Sequence, residues 1–179
     1  LVVGAGISGI LAAKNAAKNN LKTLLLDEKN ELGGSTIFET NEDNKINNKV
    51  TSEWLKKEIS ELKNIKNLEI KTRTSVAAYH QYNYLLAREN LTDHLEKKDK
   101  KGKIRQRLLK IRAKKVILAT GALERPLIFN NNDRPGIMLS SAIKKYADFY
   151  GVVSGKKNVF FTNNDSAYES AFCLNNKGI

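Results

Sequence analysis

The chain has 179 residues, 41% of them hydrophobic, with a formal net charge of +12 at pH 7 and a single cysteine. That length holds one domain, or one domain and the start of another, with enough apolar content for a core. An internal disulfide and a cysteine-based metal knuckle are excluded, and neither a signal-peptide pattern nor the run of about eighteen apolar residues that crosses a membrane is present.

A soluble protein of a reducing, cytoplasmic compartment is therefore expected, and both ends read as cuts through a longer chain, since Leu1 already lies in an apolar run and Ile179 follows a Lys-Gly pair. Residues 1–3 are apolar and stop at a glycine, which predicts a short buried parallel strand. A helix is predicted from Ile7 to about Lys18, with Ile10, Leu11, Ala13, Ala16 and Ala17 turned to a sheet and with Asn19 and Asn20 closing it. Residues 21–26 (LKTLLL) read as a second strand ending at Asp27 and Glu28. One β-α-β unit results, and its right-handed crossover puts both strand ends on one edge of the sheet.

The polar stretch ETNEDNKINNKV, residues 39–50, predicts an exposed loop. Thr51 and Ser52 can cap a helix that places Leu55, Ile59 and Leu62 on one face and Trp54 at its edge. LEIKT, residues 68–72, reads as a third strand, followed by a β-rich stretch, a basic turn and a returning strand at residues 114–121 (KKVILATG). Residues 96–115 are the most basic segment; a solvated hairpin with Arg105 and Arg107 pointing outward is expected, because no aromatic residues interleave with the charge as a nucleic-acid surface would require. A loop containing Pro126 and Pro135, a helix from about Ser140 to Tyr150, a turn from Gly151 to Gly155, a strand NVFFT at residues 158–162 and a helix beginning SAYESAFCL complete the chain. The expected domains are residues 1–150, a dinucleotide-binding domain with a β-rich insertion, and residues 151–179, the start of a second Rossmann-like domain.

Gly4, Gly6 and Gly9 follow the first strand and open the first helix at the spacing of a dinucleotide loop. The first glycine permits the tight turn, the second lets a pyrophosphate approach the backbone, and the third lets the helix pack closely on the strand. The helix N-terminus then offers unpaired N–H groups and partial positive charge to the phosphates. Asp27, with Glu28 in reserve, ends the next strand where a carboxylate accepts hydrogen bonds from the adenosine ribose. That disfavours a 2′-phosphate and implies FAD or NAD. Gly33 and Gly34 can bring a second backbone segment over the cofactor, and Thr120 and Gly121 can approach from another strand end. When NVFFTNNDSAYESA is laid on LVVGAGISGILAA, the glycine positions fall at Thr162, Asn164 and Ala167, whose side chains would crowd a pyrophosphate. One intact dinucleotide site is expected, and a second that is closed.

The segments GAGISG, DEKNELGG, IRAKKVILATGALERPLIFNNNDRPGIM and VFFTNNDSAYESA together resemble the α-subunit family of heterotetrameric sarcosine oxidases over essentially the whole chain. The large subunits of opine and proline dehydrogenases and a cyanide synthase subunit share the ATGA and ERP-like segments, and FTNND favours the sarcosine branch. The resemblance implies an α/β, Rossmann-like FAD/NAD(P)-binding fold of the two-dinucleotide-domain reductase type, with a β-meander and a truncated second domain. It also implies a hetero-oligomeric flavoenzyme that demethylates sarcosine to glycine, reduces oxygen to hydrogen peroxide and passes the one-carbon unit to tetrahydrofolate. In this resemblance NAD lies in this chain, held by Gly4, Gly6, Gly9, Asp27, Glu28, Gly33, Gly34, Thr120 and Gly121, with FAD as the alternative occupant. FAD and FMN belong to the rest of the complex, and sarcosine and tetrahydrofolate bind elsewhere in it.

The remaining candidates carry no assigned chemistry. His80 and His94 lack a partner motif, and Tyr79, Tyr82 and Tyr84 read as strand packing. Cys173, among Ala171, Phe172 and Leu174, reads as a small buried thiol. No catalytic or metal-ligating residue is expected in this chain, and no nucleic-acid or membrane partner; a basic nucleic-acid module is the remote alternative that the net charge of +12 suggests.

Overall fold

The computed structural model describes residues 1–38 and 45–178, so residues 39–44 of the expected polar loop lie outside the described residues. The chain divides into two compact units, Leu1–Ile37 with Ile46–Gly121 and Phe38–Lys45 with Ala122–Ile179.

The first unit is built on a parallel sheet. Strand β1 (Val2–Val3) lies between β2 (Thr23–Leu26) and β9 (Ile117–Leu118), with β5 (Leu68–Lys71) beyond β2. Val2 pairs with Leu25 on one side and Ile117 on the other. Helix α1 (Ile7–Lys18) crosses between β1 and β2 and buries Ile10 together with Gly9, Ala13 and Ala17, three small residues that let its axis approach the sheet. Asn20 closes it at φ 61°, in the left-handed region that Asn tolerates.

Helix α2 (Thr51–Lys63) adds Leu55 and Leu62 to the core formed by Val2, Ile10 and Leu25. Trp54 is not at the edge: it is 4% exposed, because the first turn of α2, where Thr51 is also buried, points inward. Lys14 of α1 joins the two helices by ion pairs to Glu58 and to Glu61, the latter at 2.6 Å. Burial alone would lower the Lys14 pKa, yet the two carboxylates outweigh it and raise the group above its ordinary value.

Residues 45–50 of the expected loop instead form a small hairpin, β3 (Lys45–Ile46) with β4 (Lys49–Val50). Asn47 and Asn48 stand at φ 52° and 63°. Two consecutive left-handed residues make the turn whose twist suits a two-residue hairpin, and Asn adopts it at little cost.

A three-stranded antiparallel sheet follows, β6 (Thr74–His80), β7 (Tyr84–Asn90) and β8 (Gln106–Arg112), with a bulge between Val76 and Ala78. The β7–β8 link contains one helical turn, α3 (Lys97–Lys100). Leu85 and Ala87 are fully buried and face Ile111 and Leu109. The outward residues of β8 are Gln106, Leu108, Lys110 and Arg112. Arg107 instead shares the inner face and reaches Glu89 at 3.5 Å, which corrects its expected outward direction. Arg105 does point to solvent, paired with Asp93 at 2.6 Å. The returning strand expected at residues 114–121 shrinks to Ile117–Leu118, the part in register with β1.

The second unit carries α4 (Ser140–Asp148) and α5 (Ser166–Asn176), which pack on each other. Asp148 accepts the Cys173 thiol at 3.1 Å and an ion pair from Lys177 at 3.3 Å. Burial first, and then that carboxylate, push the Cys173 pKa up to about 11, which makes the thiol unreactive at neutral pH. Phe38 and Phe149 meet edge to face at 5.1 Å, with the Lys145 ammonium 4.0 Å from the Phe38 ring centre. Residues 158–162 form no strand, and Val159 is 95% exposed. A strand needs a ladder partner, and the described residues of this unit provide none.

Candidate functional site

The glycine loop, α1, the end of β2 and the end of β9 converge at one edge of the parallel sheet. Gly4 turns the chain out of β1 at φ 97°, and a Cβ there would run into the Ala119 carbonyl oxygen. A Cβ on Gly9 would run into the Gly4 carbonyl, so α1 can lie against the loop only with glycine at that position. Gly6 differs: a Cβ built there meets nothing within 4 Å. Two of the three glycines are thus required by the protein itself, and the middle one fronts open space.

That space lies at the N-terminus of α1, whose N-cap is Gly6 and which no side chain caps among the described residues. The first-turn N–H groups of a helix have no internal acceptors, and with the helix dipole they favour an anion. No acidic residue occupies that first turn to compete for them. A Cβ on Gly6 would fill the cradle that a pyrophosphate needs, so the residues present fit the phosphates of a dinucleotide.

The other expected residues are gathered around this cradle. Gly33 N–H donates to the Ala5 carbonyl at 2.7 Å, and a Cβ on Gly34 would come 2.8 Å from the Gly6 Cα. Gly33 and Gly34 therefore buttress the first loop from behind as well as adding backbone near it. Asp27 is 8% exposed, and both its oxygens are engaged: Oδ2 accepts the Ala5 N–H at 2.5 Å and Oδ1 the Lys29 N–H at 2.8 Å. Its backbone carbonyl accepts the Thr74 N–H at 2.7 Å, tying the loop to the start of β6. Glu28 is exposed and has no partner among the described residues. Thr120 and Gly121 follow β9 at the same edge, both exposed, with Gly121 at φ 74°.

Sequence reasoning missed Ala5, and it placed Ala119 beside the cofactor with Thr120 and Gly121 without foreseeing that its carbonyl confines Gly4. Ala5 is fully buried and uses its N–H for Asp27 and its carbonyl for Gly33. Both residues act through backbone atoms, so residue type carries no signal for them; only the place of Ala5 between two glycines could have pointed to it. A cleft lined by Asn30, Leu32, Ile59, Lys63 and Ile70 lies beside the helix α2 and includes none of the glycines of the cradle.

The second turn has the opposite character. Asn164 Oδ1 accepts the N–H of Ser166, the first residue of α5, at 3.0 Å and also its hydroxyl, while the Thr162 hydroxyl donates to the Asn164 carbonyl at 2.7 Å. The first N–H of this helix is taken by its own turn, and Ala167 is 5% exposed where the first loop has Gly9. Among the described residues no group of three or more His, Cys, Asp or Glu could hold a metal ion, and no helix is long and apolar enough to cross a membrane.

Comparison with known proteins agrees with this geometry. The chain is 42% identical over 168 residues to the sarcosine oxidase subunit alpha of Corynebacterium sp. (strain P-1), and 35% identical over 179 residues to that of Rhizobium meliloti (strain 1021). These alignments cover 94% and 100% of the chain but only 17% and 18% of the relatives' length. Among solved structures, an L-proline dehydrogenase from P. horikoshii superposes with a TM-score of 0.74 at 25% identity, over 99% of this chain and 33% of that one. Residues 1–165 match the family described as pyridine nucleotide-disulphide oxidoreductase. A parallel sheet whose first turn is an open glycine cradle is the fold of that group, and the chain belongs to the pyridine nucleotide-disulphide oxidoreductase family.

Proposed function

We propose that this chain is the dinucleotide-holding part of the α subunit of a multi-subunit sarcosine oxidase, and that its glycine cradle seats NAD. The single observation that carries the reading is the open space at Gly6 in front of an uncapped helix. In this reading the N–H groups at the start of α1 and the loop of Gly4, Gly6 and Gly9 hold the pyrophosphate. Asp27 and Glu28 present carboxylates to the adenosine ribose, where a 2′-phosphate would be repelled, and Gly33, Gly34, Thr120 and Gly121 supply backbone on either side. Bound there, a nicotinamide dinucleotide supplies a hydride acceptor.

Among the described residues the side chains around the cradle provide no acid–base pair, and in this reading oxidation of sarcosine, delivery of electrons to oxygen and transfer of the one-carbon unit to tetrahydrofolate belong to other parts of the complex, where FAD and FMN reside. Residues 151–179 start a second dinucleotide-type domain whose own turn is closed by Asn164 and Thr162. The sequence relatives carry the name sarcosine oxidase, which supports the substrate. A second reading, FAD in the same cradle of a proline- or opine-type dehydrogenase, is favoured by the likeness to the L-proline dehydrogenase structure.

One experiment separates the two. The full-length chain is purified with its associated subunits, its nucleotides are released by denaturation and identified by mass spectrometry, and peroxide formation is followed with sarcosine, proline and an opine. NAD with sarcosine-dependent peroxide is the expected result. Flavin alone, with no NAD, overturns the cofactor assignment; turnover of proline or an opine without sarcosine overturns the substrate.

A further inference from the structure

The β6-β7-β8 sheet has two faces with opposite electrostatic habits. On the inner face Glu89 stands opposite Arg107 and also pairs with Lys71 at 3.2 Å, so charge is compensated across the strands. On the outer face the β7–β8 pairs are Arg88 with Leu108, Leu86 with Lys110 and Tyr84 with Arg112, beyond a hydrogen-bonded polar pair, Asn90 with Gln106, at one end. Each cation sits opposite an apolar side chain and none opposite a carboxylate. Leu108 is 61% exposed between them, and the Arg112 guanidinium lies 5.7 Å from the Tyr84 ring centre.

A face selected only for contact with water gains from opposite charges placed across strands. Alternating cations and exposed apolar groups are instead the composition of a contact surface, in which apolar and aromatic side chains and arginine are enriched. The surroundings reinforce the sign, since residues 96–115 hold eleven Lys or Arg against two acidic residues. A nucleic acid would need open aromatic faces for stacking, and the one aromatic ring among these pairs is covered by Arg112.

We infer that the outer face of this sheet is the docking surface for an acidic partner polypeptide, a second subunit whose contacting surface combines carboxylates with apolar side chains. This rests on the reading of the chain as part of a hetero-oligomer. Carboxylates of the partner would pair with Arg88, Lys110 and Arg112, while its apolar groups would cover Leu86 and Leu108.

The test uses the full-length chain in its complex, purified through a tag. A carbodiimide, which joins an ammonium to a carboxylate without a spacer, is applied to the wild type, and subunit retention is measured for the wild type, R88E/K110E/R112E and R88K/K110R/R112K. Retention is read at about 50 and about 300 mM salt, where screening shortens the reach of these charges. The expected results are a Lys110 cross-link to an Asp or Glu of a second polypeptide, roughly tenfold weaker retention at the higher salt, and loss of that polypeptide from the charge reversal but not from the conservative variant. Unchanged dinucleotide content shows that the reversed variant is folded; if it is not, the wild-type cross-link and salt series decide.

A second polypeptide that stays bound to the reversed variant at both salts, or a Lys110 that links only within its own chain, overturns the docking face and leaves the hetero-oligomer standing. A full-length chain that elutes alone at every salt overturns both. Loss of RNA or of phosphatidylserine vesicles from the reversed variant, with subunit retention unchanged, also overturns the inference.

Discussion

The turn that opens α1 and the turn that opens α5 follow the same plan, an apolar extended segment leading into a helix, yet their helix ends differ in what satisfies them. At the first, Gly6 leaves the N-terminus bare and fronts empty space. At the second, Asn164 accepts hydrogen bonds from the N–H and hydroxyl of Ser166 and so supplies the acceptor itself. An uncapped N-terminus pays for its openness in local stability, by about 1 kcal/mol, and retains its affinity for an anion; one whose turn already accepts the first N–H gains part of that stability and has one donor fewer to offer. The comparison shows that three side chains decide whether one local plan serves a ligand or only the fold.

The sharpest way to break the comparison is at Gly9. Gly9→Ala places a methyl group against the Gly4 carbonyl, so α1 and the loop must separate. The expected cost is about 3 kcal/mol of unfolding free energy by denaturant titration, with loss of bound dinucleotide. Wild-type stability for this variant would show that the loop does not depend on that contact.

Gly6→Val isolates ligand seating from folding. The backbone there, at φ −69° and ψ −177°, suits any residue, and the space is free. Dinucleotide affinity measured by calorimetry is expected to fall at least about 100-fold, while the thermal midpoint changes little. Retained affinity would place the phosphates elsewhere.

Asp27→Ala removes the acceptor for the buried Ala5 N–H as well as for the Lys29 N–H. A loss of about 2 kcal/mol is expected in chemical unfolding, because a buried donor left unpaired costs its desolvation. If Asp27 contributed only to ribose recognition, stability of the apoprotein would not change.

Asn164→Ala sharpens the other side. Removing this cap is expected to cost about 1 kcal/mol and to leave dinucleotide content untouched. A change in cofactor content would mean that the second turn takes part in binding after all.

The smallest effect lies at Glu124, whose two oxygens accept the N–H groups of Ser140 and Ser141 at 3.1 and 2.9 Å and so cap α4. Burial alone would raise this carboxyl, but the hydrogen bonds from Ser141 and Ser140 outweigh it and hold the group below its ordinary value of 4.5. A depressed folded pKa means that the contribution is complete above the unfolded value and is lost as pH falls through the lower, folded one. Glu124→Gln is expected to cost less than about 1 kcal/mol at neutral pH and to flatten the stability profile below the carboxylate range. An unchanged acid limb in urea titrations would show that the cap carries no weight.

Much of the cradle was legible because it follows from spacing. The glycines at 4, 6 and 9, the apolar runs and the acidic end of β2 each have one steric or electrostatic use, and the β-α-β unit formed as its periodicity required. The Asn47-Asn48 hairpin was legible in principle, through two adjacent residues that tolerate left-handed backbone, and was hidden by the polarity of its surroundings. Trp54, Arg107 and residues 158–162 were not legible, since burial, facing and strand pairing depend on neighbours distant in the chain.

By itself, then, the order of residues determined where the chain must turn and that no side chain fills the space in front of Gly6, because those properties are local and steric. Tertiary structure alone decided that Asp27 braces the loop through Ala5, that Gly34 backs onto Gly6, and that the β6-β7-β8 sheet leaves its cations unbalanced on one face. Those arrangements join residues that are far apart in sequence, and a hydrogen bond or a cross-strand pair exists only once folding has brought its two halves together.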